Sequence, residues 1–111
     1  MTASPDITAL IAASYEALRA GEIPEAIRQA KAALTLAQQA GDGDAQGLAM
    51  AALAYAHLRL AHYATAKEML TQALPLTNPE SVARAEVLLV LGIRAAETDD
   101  LASAERYFQQ V

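Results

Sequence analysis

The chain of 111 residues has no cysteine, no tryptophan and one phenylalanine, with four prolines and five glycines. Without cysteine it has no disulfide framework, thiol nucleophile or Cys-ligated zinc. Basic residues are also few. Eight Lys and Arg stand against 13 Asp and Glu, for a net charge of −5, and they never cluster. That excludes the basic stripe with which proteins hold nucleic acid or an anionic membrane surface. Long apolar runs are missing too. Glu, Arg, Lys or His interrupts every stretch before the roughly 18 residues that a membrane span needs. The opening segment MTASPDITALIAAS lacks the basic and apolar regions of a signal peptide. A soluble, cytoplasmic protein is expected. Valine and isoleucine are scarce and scattered, which argues against a sheet.

What is present is alanine, about a quarter of the chain. Alanine is the best helix former and the smallest apolar side chain. With so few aromatics, such a composition predicts helices packed close together. A chain this long forms one domain and buries roughly two-thirds of its unfolded surface.

Punctuation divides the chain into six predicted helices. Ser4-Pro5-Asp6 opens the first and Gly21 ends it. Pro24-Glu25 opens the second and Gly41 closes it. Asp42-Gly43-Asp44 is a turn that caps the third, which runs to about Leu60 before a break at Ala61-His62. Pro75 ends or bends the fourth near Leu74. Asn78-Pro79-Glu80 starts the fifth. Thr98-Asp99-Asp100 breaks it and caps the sixth. Apolar residues recur at helical spacing, as in Leu48, Ala51, Ala52, Tyr55 and Leu58. Short connections predict antiparallel neighbours, so three hairpins follow one another.

The hairpins repeat. Tyr15–Leu34 reads YEALRAGEIPEAIRQAKAAL, and Tyr55–Leu74 reads YAHLRLAHYATAKEMLTQAL. Alignment on Ala26, Ala66 and Ala104 also superposes Ser14, Ala54 and Gly92, then Tyr15, Tyr55 and Ile93, then Ile23, Tyr63 and Leu101. Small residues fall where two helices of a hairpin would cross. A larger side chain there would hold the backbones apart. A conserved packing skeleton under a drifting surface marks a solenoid.

These features resemble the tetratricopeptide repeat. The residues that carry the resemblance are Gly92; Gly21-Glu22-Ile23 with Ala26 and Ala33-Leu34; Tyr63 with Ala66 and Ala73-Leu74; Asp99-Asp100-Leu101 with Ala104 and Phe108; and Pro79. The period of 38 to 40 residues exceeds the family's usual 34 and is similar to the longer repeats of bacterial regulators and signalling proteins. The extra residues fall at Ala37–Asp44 and Leu76–Glu80, and the family's Trp is missing. The resemblance implies a right-handed α-solenoid of three antiparallel hairpins spanning about 5–41, 42–78 and 79–111. It implies a protein-interaction module, regulatory or sensory, with no catalysis and no cofactor. The first helices would line a concave groove for a protein or peptide segment. Carried over, that lining is Thr8, Ile11, Ala12, Tyr15 and Arg19; Leu48, Ala51, Ala52, Tyr55 and Arg59; and Glu86, Leu89, Val90, Ile93 and Glu97. The alternative for the Tyr pair is simple core packing. A family clamp of Lys, Arg and Asn for a peptide carboxylate is not expected, because the only Asn is Asn78 and the groove holds no Lys.

Other chemistry is thin. His57 and His62 stand at i, i+5 across the predicted break, which is poor spacing for a metal pair on one helix, so no metal site is expected. Asp42-Gly43-Asp44 begins like a calcium loop but lacks the later ligands. No phosphate loop or nucleophile pattern occurs. Glu86 and Glu97 would have to meet across a groove to act as a carboxylate pair. Tyr107, Phe108 and Val111 leave an apolar end without the polar cap that solenoids use. The expectation is either that the chain is the N-terminal part of a longer protein or that this end is buried by self-association in a homodimer.

Overall fold

The computed structural model describes residues 5–111, so the predicted cap at Ser4 lies outside the described residues. The described residues are all-helical. They form α1 (Pro5–Arg19), α2 (Ile23–Ala40), α3 (Gly43–Arg59), α4 (Tyr63–Ala73), α5 (Val82–Glu97) and α6 (Leu101–Gln110), with a single 3-10 turn at Leu74–Leu76 after α4. The body measures 36 × 32 × 18 Å. Its short dimension holds two helices of about 10 Å diameter, so the core lies between two layers.

Each helix packs on its neighbours in the chain. In addition α3 touches both α1 and α5. The third helix is therefore the centre of the molecule. Ala49 through Ala54 are buried without interruption, as are Ala45, Gly47, Ala56 and Leu58. A helix covered on several sides needs apolar residues all round, and small ones allow neighbours on each side to approach. The aligned small residues are inside: Ser14, Ala26, Ala54 and Ala66 are fully buried and Ala104 nearly so. The Ser14 hydroxyl donates to the Ala26 carbonyl at 2.8 Å. The first pair of aligned small positions thus meets directly, and the one buried polar group among them is satisfied.

The turns inside the hairpins repeat in phase. Gly21, Ala61 and Asp99 all have positive φ, at +77°, +61° and +60°. In each turn the next residue's N–H donates back to the helix carbonyl five positions earlier: Glu22 to Ala17, His62 to His57 and Asp100 to Ala95. The positive-φ residue itself bonds to the carbonyl three positions earlier. This is the Schellman ending, which satisfies orphan carbonyls and reverses the chain.

The start of α5 differs from the expectation. Asn78-Pro79-Glu80 does not open it. The cap is Ser81, whose hydroxyl accepts from Arg84 N–H at 3.1 Å. Pro79 disfavours helical backbone at Asn78, and Asn78 is engaged elsewhere. Its backbone N–H and side-chain amide donate to the two carboxylate oxygens of Asp44 at 2.9 and 3.0 Å. That clasp joins the start of α3 to the segment before α5. Asp42 caps α3 as expected, accepting from Ala45 N–H at 3.0 Å. Both Asp42 and Asp44 therefore serve the backbone turn.

Ala61 is the turn residue whose conformation costs most, because its Cβ crowds the carbonyl in left-handed backbone by about 1–2 kcal/mol. Glycine would relieve that cost but lose about 0.5–1 kcal/mol of unfolded-state entropy. The balance favours Ala61→Gly by about 0.5–1 kcal/mol. Urea denaturation followed by circular dichroism should show a higher midpoint at unchanged slope.

Candidate functional site

The expected groove residues come from α1, α3 and α5, and the structure brings three of them into one cluster. Tyr15 on α1 and Tyr55 on α3 meet edge to face, with ring centroids 6.3 Å apart and planes at 78°. The Tyr15 hydroxyl donates to Glu86 Oε1 on α5 at 3.1 Å. The backbones of α1 and α5 do not touch. The long Tyr15 side chain reaches across α3 to join them. All three residues are half-buried. Both rings also pack into the core between α1, α2 and α3, against the cluster of Ala17, Leu18, Ala26 and Ala56. The Tyr pair is thus core at its ring bodies and surface at its polar edge, an arrangement suited to interfaces.

The remaining positions separate by exposure. Leu89 is 38% exposed, an apolar side chain one turn along α5 from Glu86. Ile93, half-buried, packs against the core from the next turn. Leu48 sits farther off, in a shallow hollow of about 240 Å³ with Asp42, Asp44, Ser81 and Val82. Thr8, Ala12, Arg59 and Glu97 are exposed. Arg19 is exposed and pairs with Glu16 on its own helix.

Two expectations are corrected. Ala51, Ala52 and Val90 do not line a groove, because each is fully buried in the core. A single-face pattern overlooks helices that are covered on more than one side. Glu86 and Glu97 do not meet across a groove. Both stand on α5, eleven residues and about 16 Å apart along its axis. The two histidines are nearer than their i, i+5 spacing suggests: His57 Nδ1 and His62 Nδ1 lie 3.1 Å apart. The spacing rule assumes one continuous helix, whereas the Schellman turn folds the residue after the break back onto the last helical turn. The repeated turn position was the signal that would have revealed this. Among the described residues no group of three or more His, Cys, Asp or Glu side chains gathers as a metal site. No helix of the described residues is long and apolar enough to cross a membrane.

At the polar end of the α6 layer, Asp100 caps the helix by accepting from Ser103 N–H at 3.1 Å. Phe108 lies over Gly92, where an added Cβ would run into its ring. Even so, Phe108 is 42% and Val111 59% exposed, while Tyr107 is half-buried against α5. Comparison of the chain with protein families, curated proteins and solved structures found no match.

Burial raises the Tyr15 pKa well above the ordinary tyrosine value, and the neighbouring Glu86 carboxylate adds to the shift. The protonated hydroxyl is the form that the fold favours. Its contribution to stability is complete below the ordinary tyrosine pKa and is lost as pH rises through the higher folded value. In an alkaline absorbance titration, one of the four tyrosines should resist ionisation until the chain unfolds. Tyr15→Phe should abolish that late phase and leave the other three unchanged. Four tyrosines ionising together near the ordinary value would contradict the assignment.

Proposed function

We propose that the chain is a protein-interaction module, a tetratricopeptide-like solenoid whose inner face receives a segment of a partner protein. The setting that fits its long repeats is the regulatory or sensory part of a bacterial signalling or transcription-regulating protein. No catalysis is assigned to it.

The observation that carries this reading is the hydrogen bond from Tyr15 to Glu86 over the intervening Tyr55. A side chain of the first hairpin that reaches the third supports an inward curve of the surface formed by α1, α3 and α5. The pattern of contacts agrees with stacked hairpins, since among α1, α3 and α5 only successive helices touch one another and the left-handed turn residue recurs in phase. Such stacking gives quasi-one-dimensional packing and a concave face. On that face a partly exposed leucine stands next to a carboxylate and two tyrosine edges. An incoming segment would place an apolar side chain against Leu89 and a donor group against Glu86. Aromatic anchors with a polar rim are typical of such interfaces.

A second reading is favoured by one specific feature, the exposed apolar residues Leu101, Phe108 and Val111 on and after α6. Among the described residues α6 packs on α5 alone. Association of two copies through this side would cover them.

Photo-crosslinking distinguishes these readings. A photoreactive residue is placed at Leu89, at Phe108, or at exposed Thr35 on α2. The groove reading predicts a discrete adduct with another protein from Leu89 in source cells, absent from Thr35 and weakened at least fivefold by Glu86→Gln. The second reading predicts an adduct of twice the chain mass from Phe108. Identical adduct patterns at Leu89 and Thr35 would remove the groove reading, and no double-mass product from Phe108 would remove the other.

A further inference from the structure

The middle hairpin turns at Ala61, and its Schellman ending places the side chains at either side of the turn in contact. In this hairpin both are histidines. His62 N–H donates to the His57 carbonyl at 2.9 Å, and Ala61 N–H donates to the Leu58 carbonyl at 2.9 Å. The two imidazoles stand with centroids 5.4 Å apart and planes inclined by 35°. Their Nδ1 atoms are 3.1 Å apart. The equivalent positions in the other hairpins are Ala17 with Glu22, and Ala95 with Asp100. The histidine pair is therefore peculiar to this turn and is not required by it.

The separation has a chemical meaning. Two imidazole nitrogens bound to one ion at about 2.0–2.1 Å lie about 3.3 Å apart in tetrahedral geometry and about 2.9 Å apart at a right angle. The observed distance falls between these values. We propose that His57 and His62 form a two-imidazole site for a borderline divalent cation such as Zn2+, at the turn between α3 and α4. Imidazole suits Zn2+, Cu2+ and Ni2+ over the oxygen-seeking Mg2+ and Ca2+. Water or a group from a bound molecule completes the coordination, so the site is open.

Binding requires the proton that the two rings share to leave the space between them and both lone pairs to turn toward one ion. In the metal-free pair one Nδ1 carries a proton and donates it to the other. For both lone pairs to face an ion, that proton moves through solvent to the same ring's Nε2. No net proton is released by the neutral pair. His62 is exposed, and the ion has direct access. The charges nearby divide. Burial lowers the His57 pKa, and so do His62 and Lys31 of α2, whose positive charge also opposes a cation. The carbonyl end of α3 favours a cation, while the amide end of α4 opposes one. The chain's net charge of −5 favours it at long range. When held, the ion staples the end of α3 to the start of α4, and the folded state gains stability with metal concentration.

The test is a titration of the untagged chain with ZnCl2 alone at about pH 7.5. Calorimetry reads the stoichiometry, and long-range proton–nitrogen spectra read the imidazole nitrogens. One zinc per chain should bind, with both Nδ1 resonances moving together. His62→Ala, an exposed position, should weaken binding at least tenfold, and His57→Gln should do the same. Lowering the pH to about 5.5 should also weaken it, because protons compete with the ion for the imidazole nitrogens. Zinc binding of equal strength in His62→Ala would overturn the proposal, since other groups would then hold the ion. So would unmoved Nδ1 resonances at about 1 mM zinc. Should His57→Gln lose its fold, His62→Ala decides alone.

Discussion

Close approach of helix backbones is the constraint on which the rest of this structure depends. Few large side chains are available for a greasy core, so contact must come from proximity. Ala26, Ala30, Ala33 and Ala37 form the buried stripe of α2, and the central α3 is buried along Ala49–Ala54. Each alanine contributes little area, but dispersion between closely packed atoms accumulates over many contacts. Where a large residue does enter, its opposite number shrinks. Phe108 rests on Gly92, and Leu70 shares the core with Ala54. The interior is a set of complementary sizes, which is the condition of a close-packed protein.

That constraint also builds the surface. Tight crossing fixes the first helices side by side, so Tyr15, Tyr55 and Glu86 come into register across α1, α3 and α5. The hairpin turns then act as a second fixed element. Because each ends in the same left-handed reversal, the backbones at its two sides are bonded in all three. The turn contributes geometry, and the side chains found there decide what it does. In the first and third hairpins they include an acidic residue; in the middle one they are the two histidines.

Much of this was legible in the sequence. Gly41, Asp42, Gly21 and the Asp99-Asp100 pair marked element ends because their backbone and capping preferences are local. The in-phase small residues pointed to the crossings for the same reason: size at a contact leaves a direct mark on sequence. The candidate face was legible only in part. Tyr15, Tyr55 and Glu86, all drawn for the lining, come together, but Ala51, Ala52 and Val90 were not separable from them by periodicity. A helix touched by four others has no bare side for a pattern to show. Asn78 was misread as a cap because its partner, Asp44, lies 34 residues away in the chain. The meeting of His57 and His62 was not legible from helical spacing, because a turn that reverses direction lies between them.

The most direct test of the packing claim compares two alanines on one helix. Ala66 is fully buried at a crossing, and Ala64 is exposed on α4. Leucine has nearly alanine's helix propensity, so propensity cancels between the two variants. Thermal and urea unfolding of Ala66→Leu should show a loss of about 1–3 kcal/mol, the usual cost of overpacking. Ala64→Leu should stay within about 0.5 kcal/mol of the parent chain. Equal stability of the two variants would contradict the account, because backbone proximity at the crossings would then not be what holds the helices together.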